Sequence, residues 1–310
     1  MSRRGWSAAD VPDQTGRTVI VTGANSGLGL ETTRVLAGKG ATVIMACRSL
    51  GKAEAAQADV LASHPSAKLE VRSLDLADLS SIRGFAEAIK LDHPKVQLLI
   101  NNAGIMAIPR SQTVDGFEMQ LGTNHFGHFA LTGLLLQHLA ESGPARIVTV
   151  SSAAHKMGRM HFDDLQLSQS YGEWKSYGQS KLANLLFAFE LDRRLRGADL
   201  GVTSLAAHPG YSNTNLQSVG PKVSGNKLMG AIMRLGNQVM AQGADQGALP
   251  SLRAAIDPKA EGGQYYGPSG ILEVAGPPVV VKANEHARDA ADANRLWEIS
   301  EELTGVRYTF

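Results

Sequence analysis

Thr18-Val19-Ile20-Val21 runs straight into Thr22-Gly23-Ala24-Asn25-Ser26-Gly27-Leu28-Gly29. A short β-branched run that ends in glycines reads as a buried strand meeting a tight turn. The helical stretch behind it, Leu30 to Ala37, is stopped by Gly38 and Gly40. Strand, glycine turn and helix together make an anion site. Backbone N–H groups at the helix N-terminus face one point, and glycines let a pyrophosphate approach without a Cβ in the way. The spacing is G-x-x-x-G-x-G, not the general G-x-G-x-x-G fingerprint, and alone it also fits an ordinary turn.

The same alternation continues outward. Further strands are predicted at Thr42–Ala46, Leu69–Leu74, Val96–Ile100, Arg146–Val150 and Val202–Ala206. Helices are predicted at Lys52–Ala62, after the third strand through Ile89, at Gly116–Leu139 and at Ser180–Leu195, where Leu182, Leu185, Leu186 and Phe189 share one face. Short apolar strands alternating with helices imply parallel pairing and right-handed crossovers. The fold class is α/β: a single-domain Rossmann fold with a doubly wound parallel sheet of about seven strands and helices on both faces. One domain is expected over 1–310, with an N-terminal arm at 1–15 and a variable substrate-side segment at about 211–240. The 296–299 stretch reads as part of a docking helix.

The composition limits the classes. The chain has 310 residues, 43% hydrophobic and 19% charged, which suits a soluble globular protein. A formal net charge of +1 gives no pull toward nucleic acid or anionic membrane. The single cysteine, Cys47, allows no internal disulfide, and a reducing cytoplasm is the expected setting. The opening residues have no apolar run behind Arg3 and Arg4, so neither a secretory nor a twin-arginine signal is expected. No integral membrane segment is expected either.

Two further places carry chemistry. At the end of the second strand, Ala46-Cys47-Arg48 has no acid where NAD-binding folds place a carboxylate on the ribose hydroxyls. A guanidinium there suits a 2′-phosphate, so NADP(H) is expected over NAD(H). Two Tyr-x-x-x-Lys pairs then occur, Tyr171/Lys175 and Tyr177/Lys181. Four residues is one helical turn, and an ammonium at that distance favours the tyrosinate and lowers the phenol pKa toward useful acid/base range. Tyr177/Lys181 is the better pair, because it opens the strongly amphipathic helix. Tyr171/Lys175 precedes that helix in a polar stretch.

Together these motifs resemble the short-chain dehydrogenase/reductase family, over nearly the whole chain. In order they are Thr22-Gly23-x-x-x-Gly27-x-Gly29, Asp75-Leu76, Asn101-Asn102-Ala103-Gly104, Asn124, Ser151-Ser152, Tyr177-x-x-x-Lys181 and Pro209-Gly210. TGANSGLG, VIMACRS, SKLANLLF, GGQYYGP and LWEISEELTG look like the retinol dehydrogenase and protochlorophyllide reductase branch. The resemblance implies catalytic roles for Asn124, Ser152, Tyr177 and Lys181. Tyr177 would be the acid or base, Lys181 would tune it and bind the nicotinamide ribose, Ser152 would hold the carbonyl, and Asn124 would hold a relay water. It implies cofactor contacts at Gly23, Asn25, Ser26, Gly27, Leu28, Gly29, Arg48, Asp75, Leu76, Asn102, Ala103, Gly104, Tyr177, Lys181, Pro209, Gly210 and Thr214. It also implies a small-molecule carbonyl or alcohol substrate and a homodimer or homotetramer.

Ser152 stands 25 positions before Tyr177, about twice the usual family interval. The intervening loop carries His155, Met157, Met160, Phe162 and Trp174 and is expected to shape an apolar substrate site. Met229, Met233 and Met240 fit helix packing or an adaptable pocket. His125 and His128 lack a third ligand nearby, and no metal is expected. Two other functions fit the same fold: a non-catalytic NADP(H) sensor, and a reductase of carbon–carbon double bonds. The retained Ser, Tyr, Lys and Asn set favours chemistry over sensing.

Overall fold

A computed structural model describes residues 5–211 and 243–310. Thr214, Met229, Met233, Met240, the first four residues of the arm and nearly all of the 211–240 segment lie outside the described residues. Strands β1 (Thr18–Thr22), β2 (Thr42–Cys47), β3 (Lys68–Ser73), β4 (Leu98–Asn101), β5 (Ala145–Val150), β6 (Val202–Ala207), β7 (Tyr265–Pro268) and β8 (Pro278–Val280) form one sheet. Their order is β3-β2-β1-β4-β5-β6-β7-β8. Every pairing is parallel except β7 with β8. Among the described residues the sheet therefore has eight strands, against about seven expected: the six that the hydrophobic pattern placed, together with β7 and β8. At four and three residues, β7 and β8 are too short to show a period.

Among the described residues the α-helices are α1 (Gly27–Gly38), α2 (Leu50–Ser63), α3 (Leu79–Asp92), α4 (Met119–Leu121), α5 (Gly127–Glu141), α6 (Glu173–Ala198), α7 (Ala244–Ile256) and α8 (Ala290–Thr304). Alternate strand residues divide between two cores. Val19, Val21, Val43, Met45, Leu98, Ile100, Val148 and Leu205 pack with α1, α2 and α7 on one face. Ile20, Ile44, Leu99 and Ile147 pack with α3, α5 and α6 on the other. This is why the central strands read as continuous apolar runs. α8 docks through Trp297, whose ring lies 5.1 Å from Phe129, 5.9 Å from Phe187 and 4.5 Å from Tyr308.

Three helices depart from the sequence reading. The expected helix Gly116–Leu139 is instead α4, a π-helical turn at Gly122–Phe126, and α5. Close packing holds both ends of that turn: a Cβ on Gly122 would stand 2.5 Å from Thr113 Cγ2, and one on Gly127 would stand 2.4 Å from the Leu76 carbonyl. α6 begins at Glu173, so Tyr177 and Lys181 sit beyond its first turn, and Lys175 is inside it. α7 has no counterpart in the sequence reading, because Pro250 lies within it and reads as a breaker.

Candidate active site

β1 and β4 lie side by side, and from them the chain winds outward in opposite directions, which opens a crevice beyond their C-terminal ends. The glycine turn lies there. Gly23 takes φ +67° and Gly27 φ +54°, the left-handed region that glycine enters without strain. A Cβ on Gly29 would lie 2.3 Å from the Gly23 carbonyl and 2.6 Å from Asn102 Nδ2, so turn and helix pack backbone to backbone. Ser26 does not cap α1 with its side chain, which leaves first-turn N–H groups for another acceptor. Thr22 Oγ1 accepts from the N–H groups of Asn102 and Ala103, both at 2.9 Å, and pins the end of β4 to the turn. The residues therefore fit a dinucleotide pyrophosphate: a cradle without Cβ atoms at the open end of a helix.

Arg48 follows β2, beside the turn, where Gly23 N–H donates to the Ala46 carbonyl at 2.8 Å. Arg48 is exposed and makes no ion pair among the described residues. Asp75 follows β3, and its carboxylate accepts from Ala77 N–H at 2.9 Å. The neighbouring Leu76 is buried.

α6 brings the catalytic candidates together. Tyr177 and Lys181 are 6% and 4% exposed, and the ammonium lies 5.8 Å from the phenol ring centre. Lys181 Nζ donates to the Val150 carbonyl at 3.2 Å, at the end of β5. Ser151 Oγ donates to the Lys181 carbonyl at 2.7 Å and is committed there. The side chain of Ser152 instead lies against the Tyr177 phenol. A Cβ on Gly104 would be 3.2 Å from Asn124 Oδ1 and 3.3 Å from Lys181 Nζ, so β4, the π turn and α6 converge at this point. Asn124 is held by Ile105 N–H at 2.9 Å, the Ile105 carbonyl at 3.0 Å and Ser180 Oγ at 2.9 Å. π turns are frequent at functional sites. Pro209 and Gly210 follow β6, with Gly210 at φ +68°.

Burial dominates both titrating groups. It pushes the Tyr177 phenol up to about 12, against a smaller lowering by Ser152. It pushes the Lys181 ammonium down to about 8. The lysine attraction expected from the sequence is not among the causes of the Tyr177 shift; loss of solvent around the phenol sets its direction.

Tyr171 has a different task. It stands before α6, donates to the Ile108 carbonyl at 2.7 Å and accepts from Gln120 Nε2 at 3.0 Å. Lys175 is exposed and turns to Ser170. The loop after Ser152 is also more structural than its residues suggested. Met160 and Phe162 pack on the core under α6, and Arg295 covers the Phe162 ring. Met157 is exposed, and Trp174 stands edge-on to Tyr177 at 6.0 Å. A Cβ on Gly158 would be 2.3 Å from the Gly178 carbonyl, so the loop crosses α6 beside the tyrosine. Gly178 was missed as a site residue, although its place beside Tyr177 was a usable signal.

His128 links Thr22 Oγ1 (2.9 Å) to the Asn124 carbonyl (2.9 Å), and His125 meets Ser300 Oγ (2.9 Å). Burial lowers His125 from 6.5 to about 3 and His128 to about 4, and it lowers His155 to about 4. The unfolded chain thus binds protons that the folded chain refuses. Stability should be full above about pH 6.5 and should fall as the pH drops toward 4. Melting temperatures across that window test this, with His125→Gln expected to flatten the dependence. An unchanged slope in that variant would refute its part in it.

A family model described as short chain dehydrogenase matches residues 17–222. Retinol dehydrogenase 12 of Mus musculus is 42% identical over 295 residues, covering 94% of this chain and 88% of that protein. Retinol dehydrogenase 14 of Homo sapiens is 42% identical over 306 residues, covering 94% of this chain and 87% of that protein. The crystal structure of an uncharacterized protein from Mycobacterium paratuberculosis superposes with a TM-score of 0.82 at 45% identity, covering 99% of this chain and all of that one.

Proposed function

The chain belongs to the short-chain dehydrogenase family, in its retinol dehydrogenase-like branch, and from that premise we propose that it interconverts an apolar carbonyl compound and the matching alcohol with NADP(H). Membership makes it an oxidoreductase with a nicotinamide cofactor. The observation that carries the finer reading is the meeting of buried Tyr177, Lys181 and Asn124 with the half-buried Ser152 beside the glycine turn.

The glycine turn and the first N–H groups of α1 would hold the pyrophosphate, and Arg48 the 2′-phosphate. Asp75 and Leu76 would meet the adenine, and Asn102, Ala103 and Gly104 the adenosine side. Pro209 and Gly210 would meet the carboxamide. The bound nicotinamide supplies or accepts the hydride. Ser152 Oγ donates to the substrate carbonyl oxygen and holds it. Tyr177 Oη protonates that oxygen in reduction and takes the proton back in oxidation. A phenol pushed up to about 12 stays protonated at neutral pH, which suits the reductive direction. Lys181 binds the nicotinamide ribose, and its charge offsets the cost of forming a buried phenolate. Asn124, fixed by Ile105, holds a water that relays protons to Lys181. Exposed Trp174 beside Tyr177 gives the substrate side an apolar character, and the names of the curated relatives support a retinoid-like substrate.

Turnover with NADPH on a panel of aldehydes, ketones, retinal and enones tests this reading. Activity confined to enones, or tight NADPH binding without any turnover, would overturn it. Arg48→Ala is expected to lower the NADPH/NADH ratio of kcat/KM by roughly 10- to 100-fold, the equivalent of one lost hydrogen bond to a charged group. An unchanged ratio would remove Arg48 from the phosphate site.

A further inference from the structure

The connection between β7 and β8 has two consecutive non-glycine residues in the left-handed region, Leu272 (φ 55°) and Glu273 (φ 58°). Leu272 is largely exposed, so burial of its side chain does not account for this strained backbone. The Glu273 carboxylate turns inward instead. Its Oε2 lies 3.0 Å from His208 Nε2 and 3.3 Å from Lys156 Nζ. Both contacts are close ion-pair approaches, and neither is a straight hydrogen bond.

Each partner belongs to a different wall of the site. His208 is fully buried and directly precedes Pro209 and Gly210. Gly210 N–H donates to its Nδ1 at 3.2 Å. That donation needs a lone pair on Nδ1, so the ring proton sits on Nε2, the nitrogen 3.0 Å from the carboxylate, without pointing straight at it. The ring has no room to retreat: a Cβ on Gly267 would come within 2.1 Å of Nε2. Lys156 lies in the 3-10 turn Ala153–Met157, whose N-cap is Ser152. The next residue after Glu273 reinforces the link, because the Val274 carbonyl accepts from Tyr211 N–H at 2.8 Å.

We propose that Glu273 is a positioning residue whose carboxylate clamps the segment carrying Ser152 to the turn carrying Pro209 and Gly210. The clamp sets the distance between the serine that holds the carbonyl and the wall that faces the nicotinamide. It rests on the roles given above to Ser152, Pro209 and Gly210. Strain at residues 272–273 is retained because relaxing it would swing the carboxylate away from both partners.

Hydrogen exchange on the purified full-length chain, read by mass spectrometry, tests the clamp without reference to turnover. Glu273→Ala should speed amide exchange in both 153–158 and 208–211. Glu273→Gln keeps an acceptor for His208 but loses the charge for Lys156, so it should speed 153–158 alone, as should Lys156→Met. Faster exchange confined to 270–276 in Glu273→Ala overturns the clamp. If that variant does not fold, the same reading is taken from Glu273→Gln and Lys156→Met, where unchanged exchange at 153–158 overturns it. Steady-state kinetics test the positioning. Glu273→Ala should lower kcat by at least about tenfold through misplacement of the carbonyl, with little change in KM for NADPH. A rise in that KM with unchanged kcat refutes positioning. Absence of turnover in the wild type would sink the carbonyl-reductase reading and leave exchange to decide the clamp.

Discussion

Tyr177→Phe is expected to lower kcat by about 10²–10⁴-fold, the usual contribution of a positioned general acid. NADPH affinity should change little, because the pyrophosphate and adenosine contacts lie elsewhere. Tyr171→Phe is the matched control, since it removes the same hydroxyl from the other Tyr-x-x-x-Lys. That hydroxyl bridges the Ile108 carbonyl and Gln120, so its loss should cost about 1 kcal/mol of stability and leave kcat near wild type. Steady-state kinetics and thermal melts of both variants check the pair. Retained activity in Tyr177→Phe would refute the assignment.

Gly29→Ala is the second large effect. Its new Cβ would stand 2.3 Å from the Gly23 carbonyl, and neither backbone segment can turn aside as a side-chain tip could. The turn and α1 must separate, at a cost of about 1–3 kcal/mol as in other overpacked sites. The same displacement removes the N–H groups from the pyrophosphate, so the Kd for NADPH should rise by roughly 10- to 100-fold. Gly51→Ala in α2 is the contrast. Nothing lies within 4 Å of that Cβ, and the substitution should be neutral or stabilising by about 0.5–1 kcal/mol. Titration of NADPH fluorescence with both variants decides the matter. Equal affinities would mean that close packing at Gly29 is unrelated to cofactor binding.

Most of the architecture was legible because the signals are local. The central strands announced themselves as continuous apolar runs, and the glycine turn announced the crevice. β7 and β8 escaped notice because so few residues carry no period, and their pairing is decided by the neighbouring strands. α7 was hidden by Pro250, whose missing N–H ordinarily argues against a helix. The π turn around Asn124 was also illegible. Its extra residue is held in place by Thr113, Phe117 and Leu76, which approach Gly122 and Gly127 from elsewhere in the chain.

The same division runs through the site. The order and spacing of Gly23, Gly27, Gly29, Asn124, Ser152, Tyr177 and Lys181 are written in the sequence, and they determined the family and the chemistry to expect. The choice between the tyrosines was argued from amphipathicity; what the fold adds is the place of Tyr171, since α6 starts at Glu173 and leaves Tyr171 off the helix with its hydroxyl bonded to Ile108 and Gln120. Only tertiary structure set the titration of the pair, because burial is a property of what packs around a group and not of its neighbours in sequence. The same holds for Glu273. It lies 65 positions from His208 and 117 from Lys156, and three-dimensional packing alone brings one carboxylate to both.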